Sequence, residues 1–418
     1  MSFRHTVLLH QQTPMIHFQH YEPGATIRGS ELKPKLDRFL IESLGSSAGA
    51  FREEHPGWFS GPDHPSLNYK VQLRGLGACT VLGRRANGRD LDINKSFFGN
   101  QGSPDDDEHY RRTVHHPAGV ELVITCFEPD LWQAMRPKIQ PFFWTHNFGT
   151  RQSKGFGSFT VRSIDGTPAK GDPARFLDHR FGALDLPAFE LTLPSDKQDS
   201  LSGSAATPLE WIRITYGLMK SGFNLADRQG NTVDYYKGFA LMYLDRYAND
   251  KAFVKANLLP GGQPLTREPR FIRALLGTSD QVQWRNQGKT IKYTHVPDSE
   301  REAIARVPSP VLFSVTEGDR VFLLPRPIPQ ALPGAKYEVS ATPGHLQKKT
   351  IRVPAESEFA FKDFLTAFAE RFNDKAGHWC DRNGYARNAL EDARQQDLQP
   401  ARYLILKRLR ASSPGVAP

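Results

Sequence analysis

Apolar residues in the first 165 positions switch between a two-residue repeat and a helical one in a set order, and that order restricts the fold. Phe3 to Leu9 alternates like a strand, Thr13-Pro14 ends it, and Met15 to Phe18 continues it past a bulge. Gly24 to Gly29 reads as a turn. From Ser30 the spacing becomes helical, with Leu32, Leu36, Phe39 and Leu40 in one stripe. Ser30 is placed to cap this helix, and Pro34 is tolerable near its first turn. Tyr69 to Leu73 and Gly119 to Phe127 read as strands. Asp130 to Trp144 reads as a helix through Leu131, Met135 and Ile139, weakened by Pro137. Gly155 to Val161 is a further strand. The sum is β-α-β-β-α-β, which predicts an α+β protein whose N-terminal domain, residues 1–165, is ferredoxin-like (RRM-like) with insertions in its loops.

Beyond that domain the pattern loosens. Residues 166–205 read as a linker or long loop, although Phe189 to Leu193 could be a strand. Residues 206–410 read as a second α+β domain with several helices. Its helices are expected at Leu209–Lys220, Tyr235–Tyr247 and Phe271–Leu276, and along the stripe Phe361, Phe364, Leu365, Phe368, Phe372. Val311–Val315 and Arg320–Leu324 read as a hairpin joined by Glu317-Gly318-Asp319. Residues 401–410 carry four cations and no acid, and read as the flank of a core element. The tail 411–418 is expected to be disordered.

Composition excludes several classes. Hydrophobic residues make up 39%, too many for a disordered chain. No run approaches the roughly 18 apolar residues of a membrane span. The N-terminus lacks a signal-peptide core, so a cytoplasmic protein with no membrane partner is expected. Cys79, Cys126 and Cys380 are odd in number and far apart, which excludes a disulfide framework and a CxxC zinc site. HExxH does not occur, Gly45-Ser-Ser-Ala-Gly49 lies in a loop-like stretch after the first helix rather than in a strand-to-helix nucleophile elbow, and Asp105–Glu108 lacks calcium-loop spacing. No cofactor and no metal are expected. Lys and Arg number 54 against 45 Asp and Glu, a net +9, so the distribution of charge matters more than its sum.

Two segments concentrate that charge. Gly149-Thr-Arg-Gln-Ser-Lys-Gly-Phe-Gly157 is a glycine-rich basic loop between a helix and a strand. A P-loop needs Gly-Lys-Ser/Thr at a helix start, and a dinucleotide fingerprint needs a third glycine where Thr160 stands, so it is neither. Its Gly149, Gly155 and Gly157 allow close approach to a phosphate chain, and Arg151 and Lys154 supply charge. The alternative is an ordinary helix-to-strand turn. The second segment sets Arg28, Lys33, Lys35 and Arg38 around the start of the first helix, where backbone N–H groups favour phosphate. The alternative is a solvated basic face balanced by Glu31 and Asp37.

Together, a strand ending in Thr-Pro, the helix start Arg28-Gly-Ser-Glu-Leu-Lys33 and the loop Arg151-Gln-Ser-Lys-Gly-Phe-Gly-Ser-Phe159 resemble the RAMP superfamily of CRISPR-associated proteins. The form of both motifs looks most like the first-subunit family of the type III-B (Cmr) effector complexes, and Ser309-Pro-Val-Leu-Phe313 is faintly similar to that family's second domain. The chain departs from the pattern at Pro34, where the family usually has glycine, and at Arg38, displaced by one position. The resemblance implies an RNA-binding subunit of an antiviral ribonucleoprotein, with guide or target RNA and other effector subunits as partners. The RNA would be held by Arg28, Lys33, Lys35, Arg38 and the 149–157 loop, with Arg28, Lys33, Arg151 and Lys154 converging on one face. Some RAMP relatives are metal-independent endoribonucleases, which makes His17 and His146 the alternative catalytic candidates. In those relatives the glycine-rich loop lies near the C-terminus; here it is mid-chain, which favours a non-catalytic subunit. A structural subunit meeting acidic protein neighbours is the third reading.

Overall fold

Strand β1 (Arg4–Gln11) turns His5, Val7, Leu9 and Gln11 inward, so it belongs at the centre of a sheet with one buried face. The computed structural model describes residues 3–16, 25–45, 48–61, 64–82, 113–195, 207–226, 232–277, 281–284, 288–297, 307–343, 348–374 and 403–409. His17, Arg84, Arg85, Arg89, the acidic run 105–108, Cys380 and the tail 411–418 lie outside them. After β1 come β2 (Met15–Ile16), α1 (Gly29–Leu44), α2 (Ala48–Glu54), β3 (Tyr69–Gly75), β4 (Thr80–Leu82), β5 (Thr113–His115), β6 (Val120–Cys126), α3 (Pro129–Thr145), β7 (Phe159–Ile164) and β8 (Thr167–Pro168). The first sheet runs β3-β6-β1-β7-β8 and is antiparallel throughout. Register is set by apolar pairs such as Val7 opposite Leu122 and Leu9 opposite Val120.

Helix α1 buries Leu32, Leu36, Phe39 and Leu40, and α3 buries Leu131, Met135, Ile139 and Phe142, in one core with Val7, Leu9, Leu122 and Ile124. That apolar stripe carries α3 straight through Pro137 and Pro141 despite the lost backbone donors. Two local expectations need correction. Ser30 does not cap α1: the helix begins at Gly29, with Arg28 in the capping position and no side-chain cap. Met15 and Ile16 do not extend β1 but pair with β5 in a separate sheet, β2-β5-β4. Pro14, which has no N–H to donate, marks the exit.

The second half adds α4 (Pro173–Ala183), β9 (Phe189–Thr192), α5 (Pro208–Lys220), β10 (Phe223–Ala226), β11 (Thr232–Tyr236), α6 (Phe239–Tyr243), β12 (Ala248–Asn249), α7 (Asp250–Leu258), β13 (Pro269–Arg270), β14 (Gln281–Trp284), β15 (Lys289–Val296), β16 (Val311–Thr316), β17 (Arg320–Pro325), β18 (Lys336–Thr342), β19 (Lys349–Arg352), α8 (Phe361–Asn373) and β20 (Ile405–Arg408). Residues 166–205, expected as a linker or long loop, hold α4 and β9 instead. Asp172 caps α4 through the Ala174 amide, Pro173 opens it, and Leu177 and Phe181 bury its inner face. Strand β9 pairs with β17 on one side and β20 on the other, giving the sheet β16-β17-β9-β20. β16 and β17 form the expected hairpin. The expected helix 235–247 is interrupted: Thr232–Tyr236 pairs with β10, Gly238 stays extended, and only Phe239–Tyr243 is helical. A six-stranded sheet, β12-β13-β19-β18-β15-β14, completes this half. Leu404, just before β20, and Leu406 within it are buried while Lys407 and Arg408 are exposed, so the basic residues line the outside of a core strand.

Candidate nucleic-acid interface

The glycine-rich loop leaves α3 at Thr145 and reaches β7 only at Phe159, later than the expected start at Gly155. Gly149, Gly155 and Gly157 adopt positive φ angles of 79°, 79° and 66°, which a strand does not allow. At Gly157 the requirement is absolute, since a Cβ there would sit 2.0 Å from the Phe148 carbonyl oxygen. The loop's conformational freedom is therefore used to pack against its own chain. Thr13 Oγ1 donates to Gly155 O at 2.6 Å, and Thr150 N donates to Ile16 O at 3.0 Å. Asn147 Nδ2 donates to Gln152 O and to Phe313 O, both at 2.7 Å. Phe313 N donates to Ser153 O at 3.1 Å, and Phe156 is buried in the core of the second half. The loop is a seam between the first sheet and the hairpin β16-β17.

Helix geometry explains how the basic segment meets this seam. At about 100° per residue, Glu31, Lys35 and Arg38 share one face of α1, while Lys33 points nearly opposite. Lys35 Nζ donates to Glu31 Oε1 at 2.8 Å, to Asn147 O at 2.9 Å and to Gln152 Oε1 at 2.9 Å, and it lies 4.8 Å over the Phe148 ring. Glu31 Oε1 also accepts from Gly149 N at 3.1 Å and from Gln152 Nε2 at 2.8 Å. Burial lowers the pKa of Lys35, opposed by Glu31. Helix start and loop, separated by about 120 residues in sequence, are thus joined through one carboxylate and one ammonium.

The individual cations divide. Arg28 is half-buried at the head of α1, Arg38 is exposed, and Arg151 is half-buried with φ 58°. Lys33 does not join them: its ammonium donates to Asp37 at 2.8 Å, Ser66 Oγ at 2.6 Å and Leu67 O at 2.9 Å, using all three hydrogens. Lys154 turns to the other side of the loop, with Nζ 4.8 Å over the Tyr216 ring. Sequence reasoning missed Arg326, just past β17. Its guanidinium lowers the pKa of both Lys35 and His146, its own is lowered by burial, and no described carboxylate pairs with it. No local signal marks it, because only the hairpin register carries it to α1.

His146 stacks on Phe142, with centroids 4.6 Å apart, and stands edge-on to Phe39. Its Nδ1 lies 2.9 Å from Thr145 Oγ1 and 3.1 Å from Phe142 O. Burial, then Arg326, push its pKa down to about 3, so the ring is neutral at neutral pH. His115 and His116 are held by the carbonyls of Gln11 and Ala25. The outer positions of β3 and β6 are Lys70, Gln72, Arg74, Glu121, Val123 and Thr125, with none of the aromatics on which an RRM stacks bases. Among the described residues no three His, Cys, Asp or Glu gather as metal ligands, and no helix is long and apolar enough to cross a membrane.

Comparison with known proteins adds the following. The chain matches the family model for the Cmr1 N-terminal domain over residues 2–223 and that for the Cmr1 C-terminal domain over residues 235–383. No curated protein sequence matches it. Among solved structures it is similar to the crystal structure of Cmr1 from Pyrococcus furiosus (apo form), at 11% identity and a TM-score of 0.38, covering 88% of this chain and 97% of that one. It is also similar to a chain in the cryo-EM structure of the Type III-B Cmr-beta bound to cognate target RNA, at 12% identity and a TM-score of 0.26, covering 40% of this chain and 61% of that one. The two domain matches take in most of the sequence, the helix start and the glycine-rich loop included, and the chain belongs to the Cmr1 family.

Proposed function

We propose that this chain is a non-catalytic, RNA-binding subunit of a type III-B (Cmr) CRISPR effector complex in the cytoplasm, holding guide or target RNA by its sugar–phosphate backbone. The observation that carries the reading is the Glu31–Lys35 junction, which ties the head of α1, where Arg28 stands, to the glycine-rich loop that carries Arg151, with Arg326 acting on Lys35 and Arg38 two turns beyond Glu31 along α1. Family membership supports the complex, and the strand order β3-β6-β1-β7 with α1 and α3 as crossings supports a ferredoxin-like reading of residues 1–165. Lacking a stacking platform on the outer positions of β3 and β6, the domain draws affinity from phosphate contacts, and base pairing between guide and target carries the sequence information. The neutral, stacked ring of His146 weighs against an acid–base role for it.

The test is RNA binding by the full chain across a salt series. Each phosphate contact contributes a slope of roughly 0.7 log units of affinity per log unit of salt on single strands. Arg151→Ala and Arg326→Ala should each weaken binding and flatten the slope by about that amount. Equal slopes in parent and variants would refute the interface. Labelled repeat RNA should stay intact with the parent in the absence of metal. Cleavage that His17→Ala abolishes would replace the binding subunit with an endoribonuclease.

A further inference from the structure

We propose that the cleft between the glycine-rich loop and α5 is a receptor for a single phosphate group, with the Lys154 ammonium as its principal ligand and Lys220 and Arg213 on its wall. This cleft lies across the loop from the Glu31–Lys35 junction, and the inference stands whether or not the junction binds RNA.

Three cations line the cleft. Arg213, Tyr216 and Lys220 stand at i, i+3 and i+7 on one face of α5, and Lys154 reaches across from the loop. The Lys154 backbone is fixed by a bond from its N–H to Arg151 O at 2.9 Å and by a bridge to Phe313, so its side chain has a set origin. Lys154 Nζ lies 4.8 Å and Lys220 Nζ 5.7 Å from the centroid of the same Tyr216 ring. Arg213 is satisfied by Glu210. Lys220 gives its hydrogens to Tyr216 Oη, Leu276 O and Gly277 O, all uncharged. Among the described residues Lys154 makes no hydrogen bond or ion pair from its ammonium, which rests on the Tyr216 ring face.

The contrast with the neighbouring lysines gives this meaning. Lys33 and Lys35 are both enclosed, and each has a carboxylate four residues away. At Lys154 and Lys220 two ammoniums share one ring with no carboxylate bonded to either, an arrangement that is costly until an anion enters. The strain is visible in their proton affinity: burial brings Lys154 down to about 8, with Arg151 and Lys220 adding to the fall, and burial brings Lys220 to about 7, with Arg273 adding and Asp250 opposing. The cleft encloses about 270 Å³, enough for a phosphate and part of an attached nucleoside against Ile212 and Phe223. A doubly charged phosphate supplies the missing charge, and an ammonium matches it as a point charge. The phosphate can be the end of an RNA strand or belong to a free nucleotide.

Thermal unfolding of the full chain in chloride tests the site. Lys154→Met keeps the apolar stem and removes the uncompensated charge, so its Tm should rise by about 1–2 °C. A lysine serving only the fold would give a fall. Inorganic phosphate should raise the Tm of the parent above an equal ionic strength of chloride and leave Lys154→Met unmoved. Ten-nucleotide RNAs with a 5′-phosphate, a 3′-phosphate or two hydroxyl ends, together with adenosine monophosphate, distinguish the sources. An RNA end is the occupant if one phosphorylated oligomer binds the parent about tenfold tighter than the hydroxyl form and loses that advantage in Lys154→Met. A free nucleotide is the occupant if only the monophosphate competes with inorganic phosphate. Equal phosphate shifts in parent and Lys154→Met, or none in either, overturn the proposal. Lys154→Gln replaces the methionine variant if that one does not fold.

Discussion

At the scale of single residues, His146 and Gly157 show two ways in which a functional-looking side chain or loop position belongs to the fold. The folded-state pKa of His146, about 3, lies below its unfolded value of 6.5, so the fold favours the neutral ring. Stability that is intact above pH 6.5 should fall as pH drops from there toward 3, by about 1.4 kcal/mol per unit within that window. Between pH 6.5 and 5 the loss is about 2 kcal/mol. His146→Phe should flatten that part of the curve in urea unfolding at each pH. An unchanged curve would mean that the ring takes up its proton without cost. For Gly157→Ala, the left-handed backbone and the Phe148 carbonyl together predict a loss of about 3 kcal/mol or more. Gly166→Ala is the control: φ is 75° there too, but nothing lies within 4 Å, so about 1–2 kcal/mol is expected. Denaturation midpoints of the two variants should differ by that margin.

At the scale of elements, the junction of α1 with the loop makes an unusual prediction about an acid. If Glu31 merely balanced nearby cations, its removal would strengthen RNA binding. Because its carboxylate bonds Lys35, Gly149 N and Gln152, Glu31→Ala should instead free the loop, cost about 1–3 kcal/mol and weaken RNA binding. Amide exchange should quicken at Gly149 and not in β1. What could be read in advance follows the same division. The stripe Leu32, Leu36, Phe39, Leu40 was legible because its cause is local, one face of one helix. The different fates of Lys33 and Lys35 were not, since the two are neighbours in sequence and separated only by helical rotation. Their partners come from residues 66–67 in one case and 147–152 in the other. Strand β9 was nearly lost in the supposed linker because four residues give little periodicity, and its partners stand more than 120 residues away. Arg326 had no local cause at all.

At the scale of the whole molecule, the two halves are bound at several points. Phe156 enters the second core, Asn147 and Ser158 bond the hairpin β16-β17, and β9 lies between β17 and β20. Unfolding should accordingly be a single transition in which tryptophan fluorescence and far-ultraviolet circular dichroism coincide. Two separated transitions would show that the seam is weaker than its bonds suggest. The position of β9 also has a consequence for how the chain is made. Thr192 leaves the ribosome 213 residues before Ile405, the residue it faces in the finished sheet. At 5–20 residues per second that is a wait of roughly 10–40 s. Throughout it the Phe189–Thr192 strand stands with a bare edge, beside a first sheet whose own strands are already all synthesised. That interval of exposure to chaperones and to aggregation is closed only when the Ile405–Arg408 strand emerges and pairs with it.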